Sequence, residues 1–279
     1  MPVHVLSSWA ARLLDARRLA LADSLALRPA ARCVRYTKPA VQIPIRYRYK
    51  GRIPEDDLLH RLIPEGVERT GPAPRCVSVP GVGCVPQYAP TVFGDHAGFD
   101  PANDCQGCFT SSRFQVHNNC YNYAVDIATN TVAQPGRRHG LVHVGDIDPE
   151  AVWNGAQADG LISLGGPEML CSEALEMAST CDNGELVALL IASPDDSVSF
   201  PGDYHWVRCD DLDSSRWSQK DGPDQITDFD FAGNPITDPS SANWQVNAGP
   251  LDTTGSRDFI VTYWFRAWMI VPDTGVDII

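Results

Sequence analysis

The sequence predicts an α+β domain. The prediction rests on two observations: helical stretches come first and strands follow, and the strands are joined by short turn-rich segments that suit antiparallel pairing. The 279 residues are enough for a sizeable buried core, and 43% hydrophobic with 20% charged residues is ordinary for a globular chain.

From the start, residues 7–32 read as one or two helices, with Trp9, Leu13, Leu14, Leu19, Leu21, Leu25 and Leu27 at helical spacing and Pro29 as the stop. Val41–Tyr49 alternates apolar and polar residues around Pro44, which suits an edge strand. Residues 64–108 are rich in Pro, Gly and Cys and read as an irregular segment with little regular structure. Residues 1–110 therefore form an N-terminal helix and an irregular Cys-rich region, and 111–279 form the main α+β domain. Within it, Asn118 and Asn119 precede a helix over Cys120–Ala128, and two further helices fall at Pro149–Gly160 and Pro167–Ser179. Strands follow at Leu186–Ala192, Tyr204–Cys209, Arg216–Lys220 and Phe259–Val271. The last alternates Phe259, Val261, Tyr263, Phe265 and Ala267 with Ile260, Thr262, Trp264 and Arg266, so both faces are largely apolar and a central, doubly covered position is expected.

The net charge of -13 repels phosphate backbones, so nucleic acid is not an expected partner. No apolar run is long enough to span a bilayer, the Phe259–Val271 run being broken by Arg266. Met1-Pro2-Val3-His4 has no basic region followed by an apolar core, so no secretory signal is expected, and the compartment stays open between the cytoplasm and signal-free export.

Chemistry concentrates at Cys120. A cysteine just after an Asn cap lies in the first helical turn, where partial positive charge lowers a thiol pKa and free N–H groups can receive an oxyanion. The base it needs is His205, in Gly202-Asp203-Tyr204-His205-Trp206, on a strand face shared with Val207. Pairing Val207 with Trp217 sets His205 opposite Gln219, which accepts from the imidazole; a one-residue slip offers Lys220 or Asp221 instead.

At these residues the chain resembles the papain-like cysteine hydrolases, in the broad sense that includes NlpC/P60 and CHAP amidases. Asn119-Cys120-Tyr121-Asn122-Tyr123-Ala124 with Tyr204-His205-Trp206 carries the resemblance, which covers about residues 110–222. It implies a papain-like core in which the Cys-bearing helix packs on an antiparallel sheet. It also implies Cys120 as nucleophile, His205 as general base, Gln219 as orienting residue and Gln115 near the oxyanion position, five residues upstream of the Cys. The implied activity is a thiol hydrolase that cleaves an amide bond of a peptide, peptidoglycan or protein side chain through an acyl-enzyme, with transglutaminase or deamidase chemistry sharing the same order. No cofactor or metal is called for. The alternative is a non-enzymatic Cys-rich structural or binding protein in which Cys120 is buried core.

Of the nine cysteines, Cys76, Cys84, Cys105 and Cys108 are expected to order the Cys-rich stretch through disulfides or one zinc ion. Cys171 and Cys181 flank the third helix and are candidates to pair. His139 and His143 sit in a Gly- and Val-rich setting that argues against a helical zinc motif, and Asp228, Asp230, Asn234 and Asp238 read as a solvated loop.

Overall fold

The computed structural model describes residues 74–279 apart from 95, 100–108, 110–114, 144, 182–183, 223 and 251–257. The expected N-terminal helices, the Val41–Tyr49 strand, and Cys105 and Cys108 lie outside the described residues.

The described chain is mostly sheet with few helices, a mixed α+β arrangement. Two small two-stranded pieces precede the main sheet in sequence: the hairpin of β1 (Arg75–Val79) and β2 (Gly83–Gln87), and an antiparallel pairing of β3 (Val92–Phe93) with the sequence-distant β4 (Ile127–Ala128). The described part of the Cys-rich stretch is thus more regular than its composition suggests. A Cys76–Cys84 disulfide with a Cα–Cα separation of 5.3 Å crosses the first hairpin, and Val79 and Val85 pack there with Ile279. Local cross-linking supplies an ordering restraint that composition alone does not display.

Helix α1 (Cys120–Ala124) is followed by α2 (Pro149–Ala158), β5 (Ile162–Gly165), α3 (Cys171–Thr180), β6 (Gly184–Ala192), β7 (Asp203–Asp211), β8 (Arg216–Lys220), β9 (Ile226–Thr227), β10 (Gln245–Pro250), β11 (Asp258–Thr262) and β12 (Trp264–Pro272). Six strands make one antiparallel sheet in the order β5-β12-β6-β7-β8-β9, and β10 and β11 form a separate two-stranded sheet. The expected C-terminal strand is therefore two strands parted at Tyr263. Its second half lies inside the main sheet between β5 and β6.

A register shift between Phe265 and Ala267 inserts Arg266 as a bulge. The bulge moves Ala267, Met269 and Val271 to one face, while Phe265, Trp268 and Ile270 serve the other. The uninterrupted alternation read from the sequence is overturned at that residue.

Both faces of the sheet are covered. On the first, Val187, Leu189, Ile191, Tyr204 and Trp206 pack against Tyr121 and Ala124 of α1 and Val152 and Ala156 of α2. On the second, Leu186, Ala188, Leu190, Val207, Trp217 and Trp268 pack against Ala174 and Ala178 of α3 and against Trp244, Val261 and Tyr263 from the 226–263 excursion. A sheet buried on both sides explains why β6 reads as a continuous apolar run. Asp148 caps α2 by accepting from Glu150 N, with Pro149 at the first helical position. Cys171 and Cys181 are both free thiols, so the expected pairing across α3 is not made. Among the described residues no helix is long and apolar enough to cross a membrane.

Candidate functional site

The Asn cap expected before Cys120 is present. Asn119 Oδ1 accepts from Asn122 N at 3.1 Å, and Asn122 Oδ1 accepts from Asn119 N at 3.2 Å, a reciprocal capping box. The helix is shorter than expected, ending at Ala124, and Asp126 then takes φ 53°. The chain turns back at once because Asn122 captures it: Nδ2 donates to Ile127 O and to Thr129 Oγ1, both at 2.8 Å, and Oδ1 also accepts from Ala133 N at 2.9 Å. Asn118 and Asn130 bind each other similarly, Nδ2 to Oδ1 at 3.0 Å and N to Oδ1 at 2.9 Å. These buried amides hold Asp126, Asn130 and Val132 in the left-handed region, an unusual conformation for a β-branched residue such as Val132. Sequence reasoning missed this network, although the run of Asn and Thr between Asn118 and Thr131 was its visible signal.

Cys120 is 5% exposed and belongs to the apolar layer of Tyr121, Tyr204 and Trp206. Its Sγ lies 3.9 Å from Tyr204 O. Burial pushes the thiol well above its ordinary value, with the carboxylate of Asp203 acting in the same direction. The lowered pKa expected from the helix start is therefore reversed. A five-residue helix has a weak dipole, and the loss of hydration outweighs it.

His205 faces the opposite way. Side chains alternate along β7, so Tyr204 and Trp206 point to the α1 layer while His205 shares the other face with Val207 and Cys209. Its ring sits among Phe231, Trp244 and Tyr263, with centroid separations of 5.5, 5.8 and 6.0 Å. No hydrogen bond joins it to Cys120. Burial pulls its pKa down to about 4, opposed by the bond to Gln219.

The structure does bring His205 and Gln219 together, with Nε2 and Oε1 2.6 Å apart. Gln219 Nε2 donates to Phe229 O at 2.7 Å, which fixes Oε1 as the acceptor and so places the imidazole proton on Nε2. The register differs from the expected one: Val207 faces Gln219 and Cys209 faces Trp217. A shift of two residues keeps every side chain on its face, so the His205–Gln219 bond survives as a diagonal contact.

Lys220, weighed above only as the product of a slip, is a buried cation on the α1 side. Its Nζ donates to Gln115 O at 2.8 Å, Asn118 O at 2.5 Å and Gly222 O at 2.6 Å, and burial draws its pKa down to about 7. It ties β8 to the segment that leads into Cys120. Gln115 lies in a half-buried 3-10 turn, Gln115–His117, and meets Lys220 through its backbone carbonyl.

His139 and His143 take separate partners, Asp159 at 3.4 Å and Pro135 O at 3.2 Å. In the loop after β9, the Asp230 carboxylate accepts from the backbone N–H groups of Ala232, Asn234 and Asn243, which makes it a turn organiser.

No family model matches the chain, and no solved structure matches it. A curated relative does: the "Insoluble matrix shell protein 1" of Ruditapes philippinarum is 36% identical over 130 residues, which are 46% of this chain and 72% of the relative. By that identity and coverage, the chain belongs to the family of insoluble matrix shell protein 1.

Proposed function

We propose that this chain is a non-enzymatic structural protein of an insoluble matrix, with Cys120 as a core thiol. The observation that carries this reading is the placement of Cys120 and His205 on opposite faces of a sheet covered on both sides. A nucleophile and its base must come within hydrogen-bond reach, directly or through the substrate. Here the strand itself separates them. The name of the similar Ruditapes philippinarum protein points the same way. The Cys76–Cys84 disulfide fits an oxidising, extracellular setting.

A second reading is a thiol hydrolase with a papain-like core that acts on a peptide, peptidoglycan or protein amide. The short His205–Gln219 bond and the capped helix opening at Cys120 favour it. It requires β7 or α1 to rearrange so that the thiol and imidazole meet.

Alkylation separates the two. Folded protein is treated with iodoacetamide across pH 6 to 9, digested and mapped. A core thiol stays unmodified at Cys120 until denaturant is added. Rapid Cys120 labelling below about pH 8 in the folded protein, lost in His205→Ala, establishes a thiolate site and overturns the structural reading.

A further inference from the structure

Away from Cys120, three side chains converge where the segment after β3 crosses the sheet. His96 comes from that segment, Asp126 from the turn after α1, and Glu185 from the start of β6. One ligand-type atom of each lies within 4.8 Å of the others, and His96 Nδ1 is 3.4 Å from Glu185 Oε1. Asp126 is 2% exposed, and its Oδ2 accepts from His96 N at 2.9 Å, which anchors the histidine beside it. Gly94 runs so close that a Cβ there would fall 1.9 Å from Asp126 Oδ2, so the segment is seated tightly on the carboxylate.

The charges are unbalanced. Arg208 is the cation at the site, 3.1 Å from Asp126 Oδ1 and 2.9 Å from Glu185 Oε1. Asp210, from the same strand, is also buried nearby and interacts electrostatically with Arg208. The Arg208 guanidinium therefore faces three carboxylates, of which Asp210 also feels Arg216 while Asp126 and Glu185 both lean on Arg208. Glu185 Oε2 and Asp210 Oδ2 are buried oxygens that accept no hydrogen bond, and Asp126 Oδ1 has the Arg208 guanidinium beside it without a well-formed hydrogen bond. Buried carboxylate oxygens are costly without a partner, and a second cation would supply one.

We propose that His96, Asp126 and Glu185 form a binding site for one divalent cation of the zinc class. One imidazole and two carboxylates are a donor set for a borderline metal such as Zn2+, and one His with so few oxygens suits Ca2+ poorly, since calcium takes about six to eight oxygen ligands. His96 is half-exposed at 49% of its side chain, which leaves an entry path while both carboxylates stay fixed. The ion would fasten the segment after β3 to β6 and so brace the edge of the α1 layer.

The test is equilibrium dialysis of the full chain against ZnCl2, with thermal melts, for the parent protein, His96→Ala and Glu185→Gln. The expected result is one zinc per chain, a melting temperature raised by zinc, and affinity reduced by about tenfold or more in each variant. His96 is a surface side chain, so His96→Ala should melt like the parent without metal. Cobalt substitution excludes the free thiols as the source: an N/O site lacks the sulfur-to-cobalt charge-transfer band of a thiolate. Absence of zinc binding, unchanged affinity in His96→Ala, equal protection by CaCl2, or a thiolate band overturns the proposal.

Discussion

Gln219 fixes the tautomer of His205. Its Nε2 is committed to Phe229 O at 2.7 Å, so its Oε1 must accept the imidazole proton across 2.6 Å. The ring is held neutral inside an aromatic enclosure, and this has a consequence for acid stability.

His205 binds its proton in the folded state only near pH 4, against 6.5 when unperturbed. Between those values the unfolded chain binds more protons, so His205 stabilises the fold fully above about pH 6.5 and that stability is lost as pH falls toward 4. The contribution is on the order of 3 kcal/mol. Asp203, raised to about 7 by burial, acts with opposite sign over the same range. The comparison therefore needs a variant: from pH 7 to pH 4.5, His205→Gln should lose less stability than the parent, or gain some. An equal change in unfolding free energy between the two pH values for parent and variant, measured by denaturant titration, would refute this.

Lys220→Met removes the donor that three carbonyls share, those of Gln115, Asn118 and Gly222. Buried carbonyls deprived of a hydrogen bond cost about 1–3 kcal/mol each, so a loss of at least about 3 kcal/mol is expected. Hydrogen exchange should show increased opening at residues 115–124. A midpoint within error of the parent would show that the ammonium is dispensable.

Asn122→Leu keeps the side-chain volume but leaves Asn119 N and Ala133 N without their acceptor and takes one of two donors from Ile127 O, which keeps Thr129 N. The expected loss is on the order of 2–4 kcal/mol. Because the network sets the left-handed turn at 126–132, Asn122→Asp should also destabilise, since it keeps the acceptor and loses the donor to Ile127 O and Thr129 Oγ1. Chemical denaturation of both variants measures it.

Trp268 is fully buried in β12, donates from Nε1 to Met169 O at 3.0 Å, and packs against Trp217 and Phe265 with centroids 5.6 and 4.4 Å away. Trp268→Ala should cost about 3–5 kcal/mol. Removal of residues 258–279 takes away a strand hydrogen-bonded on both sides, so no cooperative melt should remain. A folded, soluble truncation would show the strand to be peripheral.

Much of the element order was legible because it rests on local chemistry. Arg216–Lys220 falls as expected, Pro149 opens α2, and Asn119 caps α1, each from its own propensity or hydrogen-bonding capacity. The helix after Cys120 was overextended because its end is set by Asn122 reaching Ile127 and Thr129, a contact that no periodicity reveals. His205 and Gln219 were correctly placed on one face, since face depends on parity and survives a two-residue error in register.

The relation of Cys120 to His205 is of another kind. Sequence by itself determined that a capped helix begins at Cys120 and that His205 lies on a strand whose neighbour bears Gln219. Only tertiary structure decided which face of the sheet α1 covers. Tyr121 and Ala124 dock on the face of Tyr204 and Trp206, and that docking sets the thiol on the side away from the imidazole. Burial there outweighs the pull of the helix start, so the charge state of the thiol also follows from packing.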